Sequence, residues 1–245
     1  MKITLVTGGS KGIGLATVKR FVAHEYIVVA CGRHFSAWTD ALNQYPNLKD
    51  VDFKECDISS KNSVMELFEY IAKRYGCIDI AINNASPKIA SDGEFMNCDQ
   101  DALIETINAD FLGPALCIQQ ELKLMGAGGC IVNITSINGI RPTPNAAMYG
   151  ASKHGIESLT RSLALEAISK GIRINSVAPG TTWTERWEER ASGNPKLRNK
   201  IETLVPSRRF AKPDEIAGAI EWLCSSAADY VVGHTLVIDG GLSLK

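Results

Sequence analysis

The chain of 245 residues has no long apolar run and no excess of charge of one sign. No segment approaches the roughly 18 unbroken apolar residues of a membrane-spanning helix. Gly8 interrupts the first apolar stretch before the core of a secretory leader could form. The formal net charge is −1, which argues against nucleic acid or an anionic membrane as the main partner. These absences predict a cytoplasmic protein with no membrane and no nucleic-acid partner.

Closely spaced metal ligands are also missing. The seven cysteines include no Cys-x-x-Cys pair, and the four histidines are scattered. A zinc site usually needs paired ligands at short spacing, so no metal site is predicted. Several cysteines lie in apolar runs such as Cys130-Ile131-Val132. This favours reduced thiols that pack as small core residues.

Short apolar runs alternate with longer amphipathic segments along the whole chain. Hydrophobic residues make up 45% of the sequence, enough for a full core. Strands are predicted at 2–7, 27–31, 51–56, 78–82, 130–135, 172–177 and 235–238, and helices at 15–23, 62–75, 101–125, 149–170 and 213–224. This order predicts one α/β domain over residues 1–245, with a doubly wound parallel sheet of seven strands and helices on both faces.

Two of the predicted helices carry unusual features. Pro114 falls inside the helix 101–125, removes one backbone hydrogen bond, and should bend that helix just after Asn108. The helix 149–170 has apolar residues well beyond one stripe, which indicates either a subunit interface or deep cover by neighbouring elements. The interface is the preferred interpretation. It predicts a homo-oligomer, a dimer or tetramer, through these two helices.

A glycine-rich turn joins the first strand to the first helix. Gly8, Gly12 and Gly14 have the spacing G-x-x-x-G-x-G. Glycines let the backbone turn tightly and approach a pyrophosphate, while the helix N-terminus supplies amide groups and a positive dipole end. Turns are rich in glycine for conformational reasons as well. The position directly after the first strand nevertheless favours dinucleotide binding.

The end of the second strand bears on which dinucleotide binds. A carboxylate there usually accepts hydrogen bonds from the ribose hydroxyls of NAD, but this place reads Cys31-Gly32-Arg33-His34. Arg33 could engage a 2′-phosphate, and Lys11 in the glycine loop could reach the same group. The alternative is two solvated surface cations. NADP(H) is therefore the preferred cofactor, and NAD(H) stays open.

Tyr149 and Lys153 are four residues apart, so on a helix they share a face. A phenol ordinarily holds its proton up to about pH 10, and a fixed ammonium beside it favours the phenolate. Such a pair suits proton transfer to or from a hydroxyl or carbonyl oxygen. The same spacing also arises by chance on solvated helix faces, so its meaning depends on the rest of the chain.

The combination of these motifs resembles the short-chain dehydrogenase/reductase family in its short form. The matching pieces run in order along the whole chain: the glycine loop 7–14, Asn83-Asn84-Ala85, Asn108, Ile134-Thr135-Ser136, the stretch from Tyr149 to Lys153, Pro179-Gly180 with Thr184, and Asp239-Gly240-Gly241. The resemblance implies a Rossmann-like fold and an NADP(H)-dependent oxidoreductase that interconverts a small-molecule carbonyl and a secondary alcohol. An NAD-dependent alcohol, sugar or steroid dehydrogenase and a non-catalytic NADP(H)-binding regulator are the alternatives.

The resemblance also implies roles for individual residues. Tyr149 would exchange a proton with the substrate oxygen, Ser136 would orient that oxygen, Lys153 would bind the nicotinamide ribose and keep Tyr149 acidic, and Asn108 would hold a water. The implied cofactor-binding residues are Gly8, Ser10, Lys11, Gly12, Ile13, Gly14, Arg33, Asp57, Ile58, Asn84, Ala85, Tyr149, Lys153, Pro179, Gly180, Thr182 and Thr184. Structural roles compete with three of these assignments: Ser136 as a strand-end cap, Asn108 as a helix-interior amide and Asp57 as a turn former.

Two parts of the sequence bear on the substrate pocket but do not identify the substrate. Ser86 stands where the family usually has glycine after Asn-Asn-Ala, and its side chain could crowd the backbone near the nicotinamide. Residues 181–206 are expected to form a substrate lid, in which Trp183 and Trp187 either line an apolar pocket or anchor the lid to the body. Met148, Ile140 and Ile89 would complete that pocket. No residue identifies the substrate, and an apolar carbonyl or secondary alcohol is the preferred class.

Overall fold

Parallel strands rich in β-branched residues form the centre of the molecule. The computed structural model describes all of residues 1–245. The strands are β1 Ile3–Thr7, β2 Ile27–Gly32, β3 Asp52–Glu55, β4 Ile80–Asn83, β5 Cys130–Ile134, β6 Arg173–Pro179 and β7 Thr235–Ile238. The helices are α1 Gly12–Ala23, α2 Phe35–Gln44, α3 Lys61–Tyr75, α4 Gln100–Ile107, α5 Gly113–Leu124, α6 Ala147–Ala167, α7 Glu185–Ser192, α8 Leu197–Leu204 and α9 Pro213–Cys224.

The strands form one parallel sheet in the order β3-β2-β1-β4-β5-β6-β7. The chain begins in the middle, builds outward to β3, and then crosses to the other side of β1. Val6 of β1 pairs with Ala30 of β2 on one side and with Ile82 of β4 on the other. The predicted doubly wound sheet of seven strands is confirmed. Its winding reverses between β1 and β4, where the carboxyl ends of strands leave a crevice in folds of this kind.

Apolar side chains fill a layer on each face of the sheet. On one face, strand residues pack with Val18 of α1, Trp38 of α2 and Ile216 of α9. On the other face they pack with Leu67 of α3 and Ile118 of α5, and also with α6. Because strands buried on both faces need apolar residues at nearly every position, their runs are nearly continuous in the sequence.

Three helices were not predicted from the sequence: α2, α7 and α8. Helix α2 buries only Trp38 and Ala41, so its apolar periodicity is short. Its position depends on the Trp38 ring, which stacks on Phe53 at a centroid distance of 5.0 Å. The contact is between residues of different elements, and local spacing carries no trace of it.

The helix predicted at 101–125 is divided by a π-helical turn at Asn108–Leu112. There the Gly113 N–H donates to the Asn108 carbonyl, five residues back. Pro114 lies in the first turn of α5, where its missing N–H needs no partner. The bend predicted just after Asn108 stays a prediction, and what the structure shows there is a π-helical turn. It changes which side chains this segment turns toward the sheet.

Helix α6 is the longest, with 21 residues. Of its apolar residues Ile156, Ala164 and Ala167 are buried, whereas Leu165 is 77% exposed. Neighbouring elements thus explain most of the apolar surface that suggested an interface, and Leu165 and Ile168 remain uncovered. Neither α6 nor any other helix combines the length and apolarity needed to cross a membrane.

Candidate active site

A cavity of about 1250 Å³ opens at the carboxyl ends of the strands, across the reversal between β1 and β4. The loops that follow β1 to β6 contribute its wall. Among the predicted site residues, those lining it are Gly8, Ser10, Lys11, Gly12, Ile13, Arg33, Asp57, Ile58, Asn84, Ala85, Ser136, Tyr149, Lys153, Pro179, Gly180, Thr182 and Thr184. Gly14 and Asn108 do not line it.

The glycine loop fits a cradle that side chains would block. Gly8 and Gly12 have φ angles of +67° and +52°, which side chains other than glycine rarely allow. A Cβ on Gly14 would lie 2.0 Å from the Gly8 carbonyl oxygen. Gly14 packs against the Gly8 backbone and does not line the cavity, and its predicted contact with the cofactor stays a prediction. Its missing side chain lets α1 begin directly against the backbone that faces the cavity.

Polar groups at the end of β4 hold the glycine loop in place. The Thr7 hydroxyl accepts hydrogen bonds from the backbone N–H groups of Asn84 (3.0 Å) and Ala85 (3.1 Å). The Asn84 side-chain amide donates to the carbonyl oxygens of Thr7 (3.0 Å) and Gly8 (3.1 Å). Thr7 had no assigned role in the sequence. A hydroxyl at the last residue of a buried strand is the signal that could have revealed one.

The far end of the cavity, beyond β2, carries the two predicted cations. Lys11 and Arg33 are both exposed there and both line the cavity, together with His34. No carboxylate follows directly at the end of β2. The Glu55 carboxylate, at the end of β3, accepts a hydrogen bond of 2.7 Å from the Phe35 N–H and does not line the cavity. A 2′-phosphate at this place would therefore meet the positive charge of Lys11 and Arg33 on the cavity wall.

Asp57 lies after β3, where its side chain forms a turn, the structural role considered for it. Its Oδ1 accepts hydrogen bonds from the Ser59 N–H (3.0 Å) and the Ser59 hydroxyl (2.7 Å). The residue also lines the cavity. It therefore forms the turn that shapes this wall while presenting its surface to the site.

Tyr149, Lys153 and Ser136 line the same cavity as the glycine loop. The Lys153 Nζ lies 5.5 Å from the centroid of the Tyr149 ring and donates to the Ile134 carbonyl at 3.5 Å. The Ser136 hydroxyl accepts from the Asn138 N–H at 3.1 Å, so Ser136 is a cap as well as a cavity residue. A cap accepts through an oxygen lone pair, which leaves the hydroxyl proton available to a substrate oxygen.

Lys153 is nearly enclosed, and a carboxylate lies beside it. The Lys153 side chain is 3% exposed, and its Nζ lies 3.2 Å from Oδ1 of Asp110. Burial tends to lower the pKa of this ammonium, but the charges of Asp110 and Tyr149 outweigh it, so the pKa of Lys153 is raised above its ordinary value. The ammonium is therefore fixed and charged next to the phenol.

Comparison of the sequence with known proteins identifies the family. A family model described as enoyl-(acyl carrier protein) reductase, one of the short-chain dehydrogenase/reductase models, matches residues 8–243. The chain belongs to the short-chain dehydrogenase/reductase family. It is 32% identical to an A-factor type γ-butyrolactone 1′-reductase (1S-forming) of Streptomyces virginiae, over 99% of this chain and 96% of the relative. It is 33% identical to glucose 1-dehydrogenase 2 of Bacillus subtilis, over 99% and 95%.

Solved structures of the family share the fold over the whole chain. A structure described as ElxO with NADP bound superposes with a TM-score of 0.93 at 31% identity, covering 100% of this chain and 99% of the other. The relatives include reductases and dehydrogenases with different named substrates. They therefore identify an oxidoreductase family without selecting a substrate.

Within this short-chain dehydrogenase/reductase, the predicted tetrad is brought together only in part. Ser136, Tyr149 and Lys153 share one cavity. Asn108 begins the π-helical turn and does not line that cavity, so its predicted role of holding a water stays a prediction. The side chain that reaches Lys153 is that of Asp110, two residues later. The sequence offered one signal for this role: Asp110 is an acidic residue inside the predicted helix 101–125.

The segment 181–206, which is predicted to form a substrate lid, contains α7 and α8. Trp183 and Trp187 both contact Phe210 edge-to-face, at centroid distances of 5.0 and 5.2 Å. Trp187 also lines the cavity, but Trp183 does not, so Trp183 anchors the lid to the body. Arg186 of α7 donates to the Ser86 carbonyl, which ties the lid to the loop after β4.

The substrate end of the cavity is more polar than the sequence suggested. Ile89 lines it, as predicted, whereas Met148 and Ile140 do not. Beyond the glycine loop, the further charged residues that line the cavity are Lys88, Asp92, Glu105, Arg141, Arg186, Glu189 and Arg190, whereas Glu185 lies beside Gly12. The charged side chains that line the cavity therefore do not favour the apolar substrate preferred from the sequence.

Proposed function

We propose that the protein is an NADP(H)-dependent oxidoreductase that interconverts a carbonyl and a secondary alcohol, with Tyr149 as general acid and base. One observation carries this proposal. Tyr149, Lys153 and Ser136 line the same cavity as the glycine loop after β1. A proton-transfer pair and a dinucleotide cradle therefore open into one space, with no element between them.

The residues present fit a dinucleotide of this kind. The loop from Gly8 to Gly12 and the N-terminus of α1 would hold the pyrophosphate, because both line the cavity and a helix N-terminus offers unpaired backbone N–H groups. Lys11 and Arg33 would hold the 2′-phosphate, and Lys153 the nicotinamide ribose. When bound, the nicotinamide supplies or accepts the hydride.

Tyr149 completes the reduction by donating its proton to the substrate oxygen. The π bond of the carbonyl breaks, a C–H bond forms with the incoming hydride, and an O–H bond forms with the phenol proton. Lys153 stabilises the phenolate that remains, until a proton from solvent restores the phenol. Ser136 orients the oxygen through its hydroxyl. Oxidation of the alcohol follows the same path in reverse.

A Tyr149→Phe variant tests this role. Wild-type protein is assayed with NADPH and three carbonyl probes, ethyl acetoacetate, diacetyl and phenanthrenequinone, by the loss of NADPH absorbance. We expect Tyr149→Phe to lose about 100-fold or more of the turnover, the usual size of a general acid's contribution, while NADPH still raises its thermal midpoint. Tyr230→Phe, at a fully exposed position, is the matched control and should be unchanged.

The outcomes of that assay separate the two classes of function. Turnover that survives in Tyr149→Phe would refute Tyr149 as the acid. A wild-type protein that gains stability from NADPH but turns over none of the probes would favour the regulator that binds without reaction.

Preference for NADP(H) over NAD(H) rests on Lys11 and Arg33. A ligand that binds only the folded state raises the thermal midpoint according to its concentration relative to its affinity. We expect a larger rise with NADPH than with NADH at matched concentrations, and we expect Arg33→Ala to remove most of the difference. Lys49→Ala, an exposed cation outside the cavity, is the control. An equal or larger rise with NADH would favour the NAD-dependent dehydrogenase.

We further propose that the whole chain acts as one dinucleotide-binding domain and that residues 181–206 close over the substrate. The contact between Arg186 and the Ser86 carbonyl supports this role for the lid. It joins α7 to the loop between the cofactor cradle and the substrate end.

A further inference from the structure

A buried carboxylate outside the predicted tetrad lies beside the catalytic pair. The Asp110 side chain is 1% exposed and does not line the cavity. Its Oδ1 lies 3.2 Å from the Lys153 Nζ and accepts a hydrogen bond of 2.6 Å from the Ser86 hydroxyl. Its Oδ2 is buried without a hydrogen-bond partner. The carboxylate thus depends on Lys153 and Ser86 for its only polar contacts.

Three elements bring ionisable groups to Lys153. Tyr149 lies one turn before it on α6, Asp110 comes from the π-helical turn, and Arg186 comes from α7 in the lid. Burial and Arg186 both disfavour the charged ammonium, whereas Asp110 and Tyr149 favour it. Asp110 is the group among these that carries a negative charge when Tyr149 is protonated, as reduction requires.

We propose that Asp110 is the counter-ion that keeps Lys153 protonated beside Tyr149, and that Ser86 fixes the Asp110 carboxylate in this position. This inference rests on the proposed function of Tyr149 and Lys153. Asp110 is a positioning residue, because it reaches the reaction only through Lys153. It also gives Ser86 a purpose, since a glycine at residue 86 would leave Asp110 without its hydroxyl donor.

The first test is the pH dependence of turnover in Asp110→Asn. The Asp110 carboxylate raises the pKa of Lys153, so removing its negative charge should make the ammonium lose its proton at lower pH. With phenanthrenequinone and NADPH, we expect the alkaline fall in kcat to move to lower pH by about one unit or more. A substitution that only loosened the structure would lower kcat without changing the pH of this alkaline fall, the alkaline limb of the pH profile.

Two variants serve as controls for charge and for location. Asp110→Glu keeps the carboxylate and should leave the limb near its wild-type position. Asp101→Asn removes one charge from the exposed first turn of α4 and should also leave it unmoved. If Asp110→Asn is folded and its limb coincides with that of the wild type, Asp110 is not the charged counter-ion.

A second test needs no turnover and no cofactor. In Lys153→Met, the Asp110 carboxylate stays buried without its ammonium, so the folded state should hold a proton that the unfolded chain releases. Stability then falls as pH rises. We expect the thermal midpoint of Lys153→Met to drop between about pH 5 and about pH 8, relative to the double variant that also carries Asp110→Asn.

The outcomes of the second test separate this inference from the proposed function. Parallel midpoint curves for the single and double variants would overturn the counter-ion, even for an active enzyme. The expected difference in slope, found in a protein with no turnover of the carbonyl probes, would preserve the Asp110–Lys153 pair and overturn only the catalytic role.

Discussion

The Glu121 carboxylate should make the stability of this protein fall as pH rises. Glu121 lies on α5 and is 0% exposed. One oxygen, Oε2, accepts a hydrogen bond of 3.0 Å from the Asn83 amide, and the other has no partner. Burial raises the pKa of Glu121 to about 8, although the Asn83 hydrogen bond lowers it in part. The folded protein therefore holds a proton at neutral pH that the unfolded chain has lost.

The sign and size of the effect follow from the two pKa values. The carboxyl of Glu121 ordinarily has a pKa of 4.5, and in the folded state it has a pKa of about 8. Stability is complete below the lower value and is lost as pH rises through the interval to the higher one. A pH of about 7 lies about 2.5 pH units above the ordinary pKa of 4.5. At 1.36 kcal/mol per unit this is roughly 3 kcal/mol, an upper bound.

Glu121→Gln tests this reasoning because it keeps the shape and removes the titration. Urea unfolding is followed at one protein concentration from about pH 5 to about pH 8. We expect the free energy of unfolding of the variant, minus that of the wild type, to increase as pH rises. The increase should reach roughly 3 kcal/mol near pH 7. Glu66→Gln, which removes an exposed carboxylate on α3, should run parallel to the wild type. Parallel curves for Glu121→Gln would refute the buried, protonated carboxyl.

Two further predictions concern the glycine loop and the assembly. Gly14→Ala should destabilise the protein by about 3 kcal/mol or more in urea unfolding, because the new Cβ meets the Gly8 carbonyl oxygen at 2.0 Å. Gly126→Ala, where no atom lies within 4 Å of the new Cβ, should stay within about 0.5 kcal/mol, and similar losses for both would contradict the packing argument. Analytical ultracentrifugation should show a dimer or tetramer that Leu165→Asp shifts to smaller species, since that side chain is 77% exposed on α6. A wild-type monomer would refute the predicted interface.

The architecture could be predicted because local patterns carry it. Strands buried on both faces, such as β2, need apolar residues at nearly every position, and such runs are visible in the sequence. The glycine loop is equally local, since the positive φ angles of Gly8 and Gly12 and the close approach at Gly14 require that residue type. Tyr149 and Lys153 share a helix face by spacing alone.

The missed elements depend on contacts between distant residues. Helix α2 is held by the stacking of Trp38 on Phe53, across 15 positions of sequence, and its own apolar pattern is too short to reveal it. The roles of Trp183 and Trp187 also could not be separated by spacing. Trp183 precedes α7 rather than sharing a helix face with Trp187, so only one of the two rings reaches the cavity.

The sequence by itself determined the seven strands and their alternation with the longer helices, the glycine-rich turn after β1 and the shared helix face of Tyr149 and Lys153, because each depends on residue type and on regular spacing. Tertiary structure decided which side chain accompanies Lys153. A π-helical turn changes the angle between successive side chains, so regular helical spacing no longer states which residue faces inward. It places Asp110 beside Lys153 and leaves Asn108 outside the cavity. Ser86, a departure from the family pattern in the sequence, becomes the hydrogen-bond donor to that carboxylate only when the loop after β4 and the turn are brought together.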